Sequence, residues 1–97
     1  MTSQPKQPAP KYSIAVPPDV VAGVPVDFAG VWRTSETLVI DFSVQTEPIS
    51  SGPDAKPTVK GVTVARVRVP VAQGFELMRA LNTQLSAWER EHPDRAH

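Results

Sequence analysis

From Val26 onward apolar residues recur at every second position. In the segment VDFAGVWRT, residues 26–34, Val26, Phe28, Gly30 and Trp32 alternate with Asp27, Ala29, Val31 and Arg33, the period of a β-strand. Ser35 and Glu36 make a short polar break. The alternation then resumes in TLVIDFSVQTE, residues 37–47, with Leu38, Ile40, Phe42 and Val44 opposite Val39, Asp41, Ser43 and Gln45. Two alternating runs joined by so short a break predict a hairpin. On this reading the even positions of both strands form one apolar face for a core, and the odd positions form a mixed face for solvent or a partner.

A third strand is predicted over residues 59–69, VKGVTVARVRV, but its phase slips. Val62 and Val64 are even, whereas Val67 and Val69 are odd. A bulge near Ala65 reconciles them; the alternative is a central strand covered on both faces, one of them by another subunit. Pro70 closes the strand where a helix can begin, because a proline at the first turn forfeits no intrahelical donor. Phe75, Met78, Leu81, Leu85 and Trp88 then recur at spacings of three and four, widened by Leu77 and Ala80. Residues 71–91 are therefore read as one amphipathic helix about 31 Å long. Gly74 weakens its first turn, and Pro93 stops it. The final DRAH is expected to fray.

The flanks lack such order. Residues 1–11 mix three prolines with polar groups and predict a disordered tail, and residues 93–97 predict a second, shorter tail. Residues 12–25 scatter apolar side chains among Pro17, Pro18 and Pro25, which suits an edge strand or a packed loop. Residues 48–58, PISSGPDAKPT, carry loop chemistry and predict a long flexible connection. One domain over residues 12–92 is the expected organisation.

Composition narrows the function classes. Ten basic residues balance ten acidic ones, which removes the generic attraction to DNA, RNA or anionic lipid. The chain has no cysteine, and its histidines are only His92 and His97, so neither a disulfide framework nor a zinc site is expected. No apolar run has the length of a signal peptide or a membrane span, and a cytoplasmic protein without cofactor is expected.

No enzymatic motif emerges. Asp27 and Asp41 sit at strand positions without a nearby histidine, cysteine or buried lysine to tune them. The serines lack a nucleophile elbow, and the five glycines are too dispersed to cradle a phosphate. Arg66 and Arg68 share a strand face and suit a charge ladder with Asp41. With Arg33 they form the candidate anion-binding or nucleic-acid set, although Trp32, on the apolar parity, is expected to point away from them. Val31, Val39, Val67, Val69 and Trp88 are the candidate interface, because one helix lid leaves the valines without a partner in the chain.

The segments VDFAGVWRTSETLVIDF and VARVRVPVAQGFELMRALNTQLSAWE together resemble a small uncharacterised bacterial and archaeal family of domains of unknown function. The resemblance covers roughly residues 24–91. It is carried by Phe28, Thr34, Leu38, Ile40, Asp41, Phe42, Arg66, Val67, Pro70, Leu77, Ala80, Leu81, Leu85, Trp88 and Glu89. Family members often place a histidine and an alanine after the proline, where this chain has Gln73 and Gly74. The resemblance implies three antiparallel strands and a long C-terminal helix, a layout similar to half of a SecB-type export chaperone subunit, and it implies no particular activity.

Sequence alone thus predicts an α+β domain, an antiparallel β-meander of three to four strands packed on one long C-terminal helix. The expected role is non-catalytic protein interaction as a homo-oligomer, most simply a dimer, with a further protein partner and without nucleic acid or membrane. Anion or nucleic-acid binding and a SecB-like holdase are the alternatives.

Overall fold

The computed structural model describes residues 9–53 and 56–95. It is an α+β fold: a three-stranded antiparallel meander in the order β1-β2-β3, followed by one long helix. The strands are β1 (Phe28–Arg33), β2 (Thr37–Gln45) and β3 (Gly61–Pro70); the helix is α1 (Val71–Glu91). A short 3-10 turn, Pro93–Arg95, follows it. Residues 9–27 form no strand; their main local feature is a turn in which the Val20 N–H donates to Pro17 O and the Gly23 N–H to Val20 O, both at 2.9 Å. Most of the predicted 1–11 tail, residues 1–8, lies outside the described residues.

The β1–β2 connection decides which side chains share a face. The Thr34 N–H donates to Thr37 O at 2.9 Å, and the Thr37 N–H donates to Thr34 Oγ1 at 3.2 Å, so Ser35 and Glu36 alone form the turn. A two-residue turn pairs residues whose numbers add to an odd sum, and the register follows: Arg33 opposite Leu38, Val31 opposite Ile40, Trp32 opposite Val39. Directly paired residues point to the same side of a sheet. Odd residues of β1 therefore join even residues of β2. This corrects the expected common even face: Phe28 and Trp32 lie on the opposite side from Leu38, Ile40 and Phe42.

The slip in β3 is a bulge. Phe42 pairs with Ala65 and Ser43 with Thr63, which leaves Val64 as the extra residue. Val69, Val67 and Val62 consequently all face the same way despite their differing parity. One side of the sheet, face A, carries Val31, Leu38, Ile40, Val44, Val62, Val67 and Val69 together with Arg33 at its corner. The other, face B, carries Phe28, Trp32, Val39, Asp41, Ser43, Thr63, Arg66 and Arg68. The connection from β2 to β3 is narrower than a free loop, because Ser50 and Thr58 exchange backbone hydrogen bonds of 3.3 and 2.9 Å at its base.

No loop separates β3 from α1. Pro70 ends the strand with φ −59° and ψ 146°, and Val71 begins the helix. The Val71 N–H donates to Glu36 O at 3.2 Å, tying the helix start to the β1–β2 turn. Gly74 then lets the first turn approach Leu38, since a Cβ there would overlap Leu38 Cδ1. The sequence reads this glycine as a weak point; the fold uses it for contact.

Beyond that turn a cleft opens between helix and sheet. Met78, Leu81 and Leu85 are 59%, 53% and 58% exposed, and α1 contains no buried residue. The meander is packed on the helix as expected, with Ile40 buried on the facing side, but the packing is loose enough to leave the helix stripe exposed. Among the described residues the buried hydrophobic ones are Val39 and Ile40, one on each face of the central strand.

Candidate functional site

Face B carries a polar and aromatic arrangement in which Phe28 and Trp32 remain 44% and 48% exposed. Arg66 lies directly opposite Asp41 and grips its carboxylate with two hydrogen bonds, Nε to Oδ1 at 2.5 Å and Nη2 to Oδ2 at 2.9 Å. The same guanidinium stands 5.7 Å from the centroid of the Trp32 ring. Hydrogen bonding from Arg66 holds the Asp41 carboxyl below the usual carboxylate range, helped by the Arg66 charge and by Trp32, while partial desolvation opposes the shift. Asp41 in turn raises the Arg66 guanidinium above its ordinary value through the same hydrogen bonds. Val39 lies between Trp32 and Arg68 in register and is fully buried. A Ser43–Thr63 hydroxyl pair at 3.1 Å continues the face. The Phe28 ring reaches across to β3, where a Cβ on Gly61 would come within 2.8 Å of it and 2.6 Å of Val44 O.

This geometry revises the anion-binding set. Arg66 and Arg68 share face B, but Arg33 pairs with Leu38 on face A, so the three do not converge. Trp32 sits beside Arg66, whereas the alternation in the sequence separates them. Asp41, paired and ionised, is a poor general base. Asp27 is structural as well: its N–H donates to Ser43 O at 2.9 Å, and its Oδ2 accepts the Gln45 N–H at 2.7 Å, which clamps the start of β1 to the end of β2.

Face A is open. Between the sheet and the diverging helix lies a cleft of about 400 Å³, lined by Val31, Leu38 and Ile40 on one side and by Gly74, Leu77, Met78, Leu81 and Leu85 on the other; Asn82 is its one polar residue. A smaller recess of about 230 Å³ adjoins it beneath Val71, Phe75 and Met78. No charged group lines either space. The apolar surface continues along β3, where Val67 is 40% and Val62 52% exposed.

The candidate interface residues separate accordingly. Val31, Val67 and Val69 belong to face A, with Leu38 and Ile40. Val39 is a core residue on the opposite face, not an unpartnered one. Trp88 is half-buried at the far end of α1, where its ring stacks on His92 at 4.6 Å between centroids and the Arg95 guanidinium stands 5.3 Å away. The His92 ring donates from Nδ1 to Trp88 O at 2.9 Å, so the segment expected to fray is folded onto the helix end as far as Arg95. The cleft itself escapes sequence reasoning that puts Val31 on the wrong face; the two-residue turn at Ser35 and Glu36 is the signal that finds it.

Among the described residues no group of three or more histidine, cysteine, aspartate or glutamate side chains is placed to hold a metal, and no helix is long and apolar enough to cross a membrane. Compared with models of known protein families, with curated proteins and with solved structures, the chain finds no match. The family likeness therefore rests on the residues that carry it.

Proposed function

We propose that this chain is a non-catalytic protein-interaction domain that acts in the cytoplasm as a homo-oligomer. One observation carries the reading: an exposed apolar helix stripe and the partly exposed apolar face of the sheet border an uncharged cleft. Exposed apolar surface of that extent marks an interaction site. The titratable groups of face B support a non-catalytic role, since the one perturbed carboxylate is neutralised by the arginine beside it.

Anion or nucleic-acid binding is weaker, because Arg66 is occupied by Asp41 and Arg33 lies on the other face. A holdase of SecB type would use the same apolar cleft, with an unfolded chain as occupant. Sedimentation equilibrium tests the main reading: self-association at micromolar concentration is expected, together with a Tm that rises with protein concentration. A monomer with a concentration-independent Tm overturns it.

A further inference from the structure

We infer that the cleft is filled by a second copy of this chain: in a two-fold symmetric dimer, the Met78, Leu81 and Leu85 stripe of each helix lies on face A of the other protomer. The inference rests on the homo-oligomer reading and gives it a specific interface.

Area is the first argument. A compact monomer of 10.5 kDa exposes about 5,400 Å², whereas this chain exposes 9039 Å². Its radius of gyration is 19.3 Å, against about 13 Å for a compact domain of this length. Residues 9–27, which run without strand or helix, account for part of the excess. On the helix stripe and face A, Val31, Val67, Phe75, Met78, Leu81 and Leu85 are each 40–62% exposed. An obligate homodimer interface of about 2,000 Å² or more is of the size needed to cover such surface.

Shape and chemistry select the occupant. Residues 78 to 85 of a helix advance about 10.5 Å, and three strands span about 10 Å from the first to the third. The stripe therefore matches the width of face A. Its occupant must be apolar and uncharged at the contact, as the stripe is. The apolar surface also runs past the cleft to Val62, farther than a small apolar ligand would cover. A two-fold interface requires one patch that holds both halves of the contact. Helix stripe and sheet face belong to one cleft here, so each copy offers what the other needs. A net charge of zero adds no repulsion between copies.

Introduced thiols report the geometry directly, because the chain has no cysteine of its own. Two chains are mixed under mild oxidation, one carrying Val31→Cys and the other Leu85→Cys, so that any disulfide joining the two positions is intermolecular; mass spectrometry identifies the linked peptides. A Thr63→Cys chain mixed with a Gln84→Cys chain is the control, with one thiol on face B and one away from the cleft. The Val31–Leu85 link is expected and the control link is not. In sedimentation equilibrium, Leu81→Glu should weaken dimerisation at least about thirtyfold, the effect of losing an interface hot spot. Leu81 is half exposed within the protomer, so the helical circular-dichroism signal should persist. A dimer that links only through the control positions, or that tolerates Leu81→Glu, overturns this interface and leaves the homo-oligomer standing. A wild-type monomer at tens of micromolar overturns both.

Discussion

The two faces of this sheet use the same three strands and reach opposite ends. The polar groups of face B satisfy one another, Arg66 binding Asp41 and Ser43 pairing with Thr63, and Val39 among them is fully buried, while Phe28 and Trp32 stay partly exposed. Face A buries Ile40 but leaves Val31, Val62 and Val67 exposed beside a cleft, because the helix that faces it starts from a loopless junction at Pro70 and makes its closest approach at the first turn. Apolar content is therefore a poor guide to where a small fold is finished. On face B the long Arg66 side chain reaches both Asp41 and the Trp32 ring, as an amphipathic side chain can. Aliphatic residues on face A can only be covered by another element, and the one helix leaves Val31 62% and Val67 40% exposed.

Substitutions on the two faces should separate accordingly. Val39→Ala removes two methyl groups from the most buried position and should cost about 2–3 kcal/mol in urea denaturation. Val31→Ala, its counterpart on face A, should stay within about 0.5 kcal/mol in dilute protomer, since the residue is 62% exposed. A large Val31→Ala effect in dilute solution would mean that face A is already closed within one chain. Between these lies Gly61→Ala, which brings a Cβ against the Val44 carbonyl and the Phe28 ring. The carbonyl is held in the ladder and cannot yield, so a loss of about 1–2 kcal/mol is expected.

The ion pair gives a small effect that depends on pH. Asp41 has a lower pKa in the folded state than its ordinary value of about 3.9. The stability it contributes is present above that ordinary value and is lost as pH falls through the folded pKa, below about 4. Asp41→Asn should therefore lower Tm by no more than a few degrees at pH 7 and remove part of the acid sensitivity below pH 4. Thermal melts of both proteins between pH 2 and 7 measure this. Unchanged acid sensitivity in the variant would detach the pair from the stability of face B.

Much of this was open to reading along the chain. Alternation located all three strands, and period 3.6 located the helix with its bounds, because these periods come from local backbone geometry that each residue carries with it. The bulge was legible too, in the parity change between Val62 and Val67. The pairing of faces is legible in the turn rather than in the alternation: Ser35 and Glu36 as a two-residue turn place Val31 beside Ile40 and Trp32 on the side of Asp41. Arg66 bridging Trp32 and Asp41 follows from that register.

What the sequence determined by itself is the set of elements, their order and, through turn length and bulge, their register. Only the tertiary structure decided that the helix would diverge from the sheet and leave Leu81 and Leu85 uncovered above Val31. A 3.6-residue period specifies which side of a helix is apolar, not the angle at which the helix meets its neighbour. That angle is set at one junction, by the backbone of Pro70, the Val71–Glu36 hydrogen bond and the close contact of Gly74 with Leu38.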